Sequence, residues 1–325
     1  MINWLQRQWY RITFWHLLLW PLSLVFGALV AIRRFAYQIG VFSVWHAPAP
    51  VIVVGNIVVG GSGKTPLTIW LADFLKAYGY QPGIVSRGYG GLASVPQAVN
   101  LTDDAAVVGD EPLLIARRSS CPVWVGKYRP SAVRGLLDAH PECNVLICDD
   151  GLQHYRLARD IEIAVVDGRR GFGNGMLLPA GPLREPLSRM EKVDAVVTNG
   201  GKAAQGAFLM RLLGTVFRNL LDRSLTASGS DFARLNLHAI AGIGNPQRFF
   251  DTLEELGLEC VTHPFPDHHP YCPADLQFEG AQAVVMTEKD AVKCAAFAQP
   301  NWWYLEVSAE VSDAFGEHIL KKLKG

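Results

Sequence analysis

Hydrophobic residues fall along this chain in three kinds of run. The first is continuous: from Ile12 to Ile32 there is no Asp, Glu, Lys or Arg, and Arg33 and Arg34 close the stretch. The second kind is short and β-branched, and each run ends in a polar or glycine-rich turn. These runs predict strands at Val51–Val54, Gly83–Ser86, Val123–Val125, Asn144–Cys148, Ile161–Asp167 and Ala195–Thr198. The third kind has helical spacing, as in Phe249, Phe250, Leu253 and Leu256. Helical patterns also open near Lys64, run from Leu113 to Arg117, and close the chain from Val311 to Leu323.

Strands alternating with helices predict an α/β fold, a parallel sheet covered by helices. Regularity fades from Gly201 to Ser230, so a boundary is expected near residue 225. Beyond it, strands at Leu237–Ala241, Glu259–His263, Ala283–Met286 and Trp303–Val307 make a second, smaller α/β unit. Three segments follow: an N-terminal membrane-anchoring helix (1–36), a nucleotide-binding domain (37–225) and a smaller domain completing the site (226–325).

The uncharged N-terminal run is long enough for a bilayer core of roughly 30 Å. Trp9, Tyr10, Trp15 and Trp20 crowd one end, as interfacial aromatics do. A signal peptide has a shorter apolar core and a small-residue cleavage site, whereas here arginines follow. A helix buried against the globular part is the soluble alternative. His16, Pro21 and Ser23 interrupt the run, which favours membrane attachment over full spanning. Basic residues at both ends, Arg7 and Arg11 before it and Arg33 and Arg34 after it, leave orientation unread.

Composition narrows the class. With 325 residues, half of them apolar, two domains are expected. The net charge of zero gives no electrostatic footprint for nucleic acid. Six scattered cysteines without a C-x-x-C pair read as reduced, cytoplasmic thiols. No obligate protein partner is evident.

The chemistry begins at VIVVGNIVVGGSGKTPLT. A strand, a glycine-rich turn and Gly63-Lys64-Thr65 at a helix start form the layout of a phosphate-binding loop. Amides from Val58, Val59, Gly60, Gly61, Ser62 and Gly63 through Thr65 can wrap phosphates, because helix N-terminal N–H groups lack partners. Lys64 reaches the outer phosphates, and Thr65 is placed to ligate Mg²⁺. The usual first glycine is replaced by Val58. Val59 stands where one group of dimerising ATPases carries a lysine.

Further candidates lie at the ends of predicted strands, where open α/β sheets bind ligands. Arg87 and Tyr89 follow the second strand. Asp110 and Glu111 precede an apolar helix, where acids also serve as caps, and a carboxylate there can take a proton from an acceptor hydroxyl. Asp149 and Asp150 end an apolar strand downstream of the loop, the place of a Mg²⁺-binding carboxylate in phosphate-loop enzymes, with His154 nearby. Arg184 and Glu185 sit in a long Gly/Pro-rich loop. His263, His268 and His269 have the ligand type of a zinc site, but prolines at 264, 266 and 270 hold that segment irregular and no fourth ligand is apparent.

Together the apolar N-terminus, VGNIVVGGSGKTP, SRGYGG, VGDEPLLIA, DDGLQH, PAGPLREP, AGIGNPQRFF, FPDHH and TEKDAVKC resemble, in order and over nearly the whole chain, the tetraacyldisaccharide 4′-kinases of lipid A synthesis. That family's pattern carries the same shifted glycines. The resemblance implies a membrane-anchored, phosphate-loop NTPase-type kinase using ATP and Mg²⁺. It implies transfer of the γ-phosphate to the 4′-hydroxyl of tetraacyldisaccharide 1-phosphate, giving lipid IV-A. It implies a bacterial inner-membrane protein with cytoplasmic catalytic domains and a membrane-lipid substrate. By motif position it makes Asp110 the base, supported by His268, and puts Lys64 and Thr65 on phosphates and metal. It places Asp149 and Asp150 at the metal, Asp150 also near the catalytic base. Tyr89, Glu111, His154, Arg184 and Glu185 become further site residues. The rival reading is a membrane-anchored nucleotide switch that binds a protein partner, which leaves Asp110 and FPDHH without a task.

Overall fold

The computed structural model describes residues 8–11, 13–92 and 95–324. Arg7 and Ile12, the basic flank and the first residue of the apolar run, lie outside the described residues.

Among the described residues thirteen strands form one sheet. In chain order they are β1 (Val51–Gly55), β2 (Pro82–Ser86), β3 (Gln97–Ala98), β4 (Val123–Val125), β5 (Val145–Asp149), β6 (Ile161–Asp167) and β7 (Ala195–Asn199). Then come β8 (Phe208–Asn219), β9 (Thr226–Ala227), β10 (Leu237–Ala241), β11 (Val261–Pro264), β12 (Ala283–Thr287) and β13 (Trp302–Val311). The spatial order is β11-β10-β12-β13-β8-β7-β6-β1-β5-β2-β4-β3, with β9 on β8. Pairing is parallel except at β13–β8, β3–β4 and β8–β9.

The helices are α1 (Trp15–Gln38), α2 (Lys64–Ala77), α3 (Ala105–Val108), α4 (Asp110–Ser119), α5 (Arg129–Ala139), α6 (Gly229–Phe232), α7 (Pro246–Glu255), α8 (Glu288–Cys294) and α9 (Asp313–Lys324). β1, β2, β5, β10 and β12 are buried at every position, which is why they read as continuous apolar runs. Leu71 and Leu75 of α2, Leu113 of α4 and Phe315 of α9 share one core. Val133 and Leu136 of α5 pack in the core on the other face. Phe249, Phe250 and Leu253 of α7 fill a core of the second half.

β8 overturns the expectation that residues 201–230 are irregular: it is the longest strand, twelve residues. Its pattern misleads because Leu213 and Val216 face solvent and Gly214 interrupts the run, so apolar and polar positions do not alternate cleanly. β8 pairs in parallel with β7 over residues 208–210 and antiparallel with β13 from Met210 to Asn219. It thereby joins both halves into one sheet. The expected boundary near residue 225 falls in the turn between β8 and β9.

α1 is 24 residues long with a mean hydropathy of 1.9, and only 11% of its most apolar window is buried. That excludes the core-helix alternative. One seam holds it: Ser23 Oγ donates to Leu177 O (2.9 Å) and accepts from Ala180 N (2.9 Å). Leu17, Leu18, Leu24, Val25, Leu29 and Ile32 are exposed around the rest.

Candidate active site

The glycine loop links β1 to α2 and is fixed from several sides. Asn56 Nδ2 donates to Gly60 O (3.3 Å) and Ser62 Oγ (3.1 Å). Val59 N donates to Pro182 O (2.9 Å), and Arg184 N to Ile57 O (2.7 Å). Asn199, at the end of β7, donates through Nδ2 to Ser62 O (3.0 Å). Arg248 of α7 in turn donates to Asn199 Oδ1 (2.8 Å). Gly63 has φ +95°, and a Cβ there would lie 2.3 Å from Asn199 Nδ2, so only glycine fits. α2 starts at Lys64, and its free N-terminal amides face the loop.

Strand ends bring two carboxylates to this loop. Asp150, in a left-handed conformation (φ 47°), lies 3.5 Å from Lys64 Nζ and 3.3 Å from Arg184 Nη1. Burial pushes its pKa up, but Lys64 and Arg184 hold it well below the usual carboxylate range. Asp149 is 1% exposed and accepts from Thr68 Oγ1 (3.2 Å) and Ser86 Oγ (3.3 Å). Burial first, then the charges of Glu111 and Asp150, push it up to about 7. A cation beside it would restore its charge. With the half-buried Thr65 hydroxyl the donors are all hard oxygens, so these residues fit Mg²⁺.

The second cluster is assembled across the sheet. Asp110 opens α4 and is 4% exposed. Its Oδ2 lies 2.9 Å from His268 Nδ1, and its Oδ1 accepts from Glu111 N (2.9 Å). His268 follows β11 and also has left-handed backbone (φ 59°). Such non-glycine conformations cost on the order of 1–3 kcal/mol and persist where the surroundings impose them. Burial raises the Asp110 pKa, but the His268 hydrogen bond and Lys289 bring it below normal. Burial lowers that of His268, yet the bond to Asp110 leaves it raised. The Tyr89 ring lies 5.0 Å from the His268 ring.

The structure thus gathers Lys64, Asp149, Asp150 and Arg184 in one cluster, and Asp110, Glu111, His268 and Tyr89 in another. Contacts link them: a Cβ on Gly244 would lie 2.7 Å from Gly61 N and 3.3 Å from Asp267 Oδ2. Glu185 is buried and partnered by Gln153, Tyr155 and Arg189, so it braces neighbours. His154 lines a cavity of about 550 Å³ beneath α1, together with Leu29, Ile32, Arg33, Lys127 and Arg129. Burial and then Arg129 and Arg87 push His154 down to about 3, so it is neutral.

The three histidines weighed for zinc take three different partners. His268 meets Asp110, His269 Nε2 lies 3.1 Å from Asp275, and His263 Nε2 lies 3.0 Å from His238 Nδ1. Thr68, Ser86, Asn199, Arg248 and Lys289 were missed as site residues. Thr68, Ser86, Arg248 and Lys289 lie within stretches already singled out, VIVVGNIVVGGSGKTPLT, SRGYGG, AGIGNPQRFF and TEKDAVKC, and Asn199 follows a predicted strand.

Known proteins match this chain over nearly its whole length. The family model described as Tetraacyldisaccharide-1-P 4′-kinase matches residues 15–324. A tetraacyldisaccharide 4′-kinase of Methylobacillus flagellatus is 52% identical over 321 residues, covering 99% of this chain and 96% of the relative. One from Azoarcus sp. is 52% identical over 314 residues, covering 95% and 92%. A crystal structure of LpxK from Aquifex aeolicus in complex with ATP superposes with a TM-score of 0.80 at 28% identity, covering 95% of this chain and 99% of that one. With a glycine loop, a carboxylate cluster and an Asp–His pair on one sheet edge, this chain belongs to the tetraacyldisaccharide-1-P 4′-kinase family.

Proposed function

We propose that the protein transfers the γ-phosphate of ATP to the 4′-hydroxyl of tetraacyldisaccharide 1-phosphate, giving lipid IV-A in lipid A synthesis. The observation that carries the reading is the Asp110–His268 pair, 2.9 Å apart, beside a braced phosphate loop. A nucleotide switch needs the loop but has no use for that pair.

In this reading the loop amides from Val58 to Thr65 and the Lys64 ammonium neutralise the phosphate oxygens. Phosphoryl transfer needs such charge placement more than covalent help. Thr65 and Asp149 or Asp150 would hold magnesium, which would supply further charge neutralisation for the phosphates. Asp110 takes the proton of the 4′-hydroxyl as its oxygen bonds to the γ-phosphorus and the bond to the ADP oxygen breaks. His268 orients Asp110. Arg184 orients Asp150, and Glu185 orients Gln153 and Tyr155. Glu111 and Tyr89 hold the Asp110–His268 pair from either side.

The anchor suits the substrate. Each buried CH₂ is worth roughly 0.8 kcal/mol, so a four-chain lipid barely leaves a bilayer. The exposed apolar face of α1 would enter the inner membrane, with residues 37–225 and 226–325 as two catalytic lobes in the ATP-containing cytoplasm. The cavity beneath α1 combines apolar walls with Arg33, Lys127 and Arg129, the chemistry of an anionic lipid headgroup. The test is ATP consumption by detergent-solubilised protein, with and without tetraacyldisaccharide 1-phosphate, for wild type and Asp110→Ala. Lipid-dependent turnover that collapses in the variant supports the kinase and its base. Turnover indifferent to the lipid overturns the reading.

A further inference from the structure

Lys289 occupies the centre of the Asp110–His268 cluster. It sits in the first turn of α8, with its side chain 15% exposed. Its Nζ donates to Glu111 Oε1 (3.1 Å) and Asp267 Oδ1 (3.2 Å), and lies 3.4 Å from His268 Nε2. Asp110 Oδ2 is 3.8 Å away. An ammonium has three N–H donors and no acceptor. Two go to carboxylates, and the third faces His268 Nε2, 3.4 Å away, where an unprotonated nitrogen would accept it. The imidazole proton then sits on Nδ1, which faces Asp110.

We propose that Lys289 is a positioning residue for phosphoryl transfer, one that fixes the Nδ1–H tautomer of His268 and keeps the Asp110–His268 pair from taking a second proton. The inference rests on the kinase reading above for its kinetic consequence only. The bond to Asp110 favours an imidazolium and Lys289 opposes it; a neutral His268 donating to Asp110 leaves the carboxylate more basic than an imidazolium would. The groups facing His268 are Asp110 from α4, Asp267 beside it, Lys289 from α8 and the Tyr89 ring from the loop after β2. Lys293 also acts on Asp110 at longer range. Without Lys289 the carboxylates of Asp110 and Asp267 would flank the imidazole with no cation between them, Glu111 would lose its ammonium partner, and the cluster would bind protons more readily. Burial lowers the Lys289 pKa, but these three carboxylates raise it far above the ordinary lysine value, so it stays charged. Its charge in turn opposes protonation of His268.

The test has two arms. In ¹⁵N-histidine-labelled wild type in detergent, His268 is assigned by its loss in His268→Ala. The expected signature is a protonated Nδ1 and an unprotonated Nε2; a protonated Nε2 overturns the tautomer. In the kinetic arm, Lys289→Met is expected to lower kcat at least about tenfold while leaving KM for ATP within about twofold. The acid limb of its pH profile should move to higher pH by on the order of one unit. Lys289→Arg, which keeps the charge, should restore the acid limb. Wild-type kcat in Lys289→Met, or a loss with an unmoved acid limb, overturns the proposal. Wild type without lipid-dependent turnover would instead overturn the kinase reading, and the nitrogen signals would still decide the tautomer.

Discussion

The two charged clusters beside the glycine loop are built in opposite ways. Lys64, Asp149, Asp150 and Arg184 come from one half of the sheet, at the ends of β1 and β5 and the loop that braces them. Backbone hydrogen bonds from Val59 N to Pro182 O and from Arg184 N to Ile57 O help hold that loop in place. In the second cluster Asp110 and His268 lie 158 positions apart, and side-chain contacts join them to Lys289. A further bridge ties the same two helices, Arg118 to Glu288 at 2.7 Å. The glycine-loop side is therefore preorganised within one half of the sheet, whereas the Asp110–His268 side is assembled between the two halves that β8 joins. Substitutions on the two sides should differ in kind as well as in size.

The largest effect is expected on the preorganised side. Lys64→Met removes the ammonium beside Asp150 that is proposed to meet the phosphates, and kcat should fall by about 10²–10³. Steady-state kinetics with saturating lipid checks it, and a fall below about tenfold would mean another cation carries the charge. On the assembled side, His268→Ala leaves Asp110 in place with Lys289 still near. A smaller loss of about 10–100-fold in kcat, with KM for ATP unchanged, is expected. Unchanged turnover would mean that the pair has no part in deprotonating the acceptor.

The same contrast explains what could be read in the chain. The glycine loop, Lys64, Thr65 and Asp149-Asp150 announce themselves because their chemistry lies in short contiguous motifs at strand ends. The strands themselves were legible because burial on both faces leaves them no polar positions. Asp110 and His268 were joined by family resemblance, since no spacing rule connects an acid before one helix to a histidine in a distant loop. Thr68 and Lys289 stayed hidden for a simpler reason. Thr68 lies on a helix where its hydroxyl reads as ordinary, and Lys289 sits among the acids of a helix start, where a charge reads as solvated. β8 was lost because its exposed apolar residues blur the alternation.

A third substitution probes a strut that crosses from the second half to the glycine loop. Arg248 holds Asn199, and Asn199 holds the Ser62 carbonyl. Arg248→Ala should loosen the loop without touching the phosphates or the Asp110–His268 pair. KM for ATP should rise about 3–10-fold with kcat nearly intact, the cost of roughly one charge-assisted hydrogen bond. A fall in kcat alone would place Arg248 with the chemistry instead.

The smallest effect is on stability, and it has a sign of its own. Asp149 is fully buried, and its pKa is pushed up to about 7 from the ordinary carboxylate value of 3.8. Between those values the unfolded chain has released the proton and the folded protein keeps it. Its contribution to stability therefore declines as pH rises from about 4 to about 7 and is flat above. Asp149→Asn removes this slope. The amide can still accept from Thr68, and its NH₂ can donate to Ser86, whose hydroxyl can reverse its role. The variant should match wild type in Tm near pH 4 and exceed it by about 2–4 °C at pH 8, while losing turnover. Magnesium with ATP should raise the Tm of wild type more than that of the variant, because only the carboxylate gains a counter-charge. A variant less stable than wild type at pH 8 would mean that Asp149 is already ionised and held by its neighbours. The preorganised cluster would then carry its charge without help from the ligand, and its cost would have to lie elsewhere, in the left-handed backbone of Asp150.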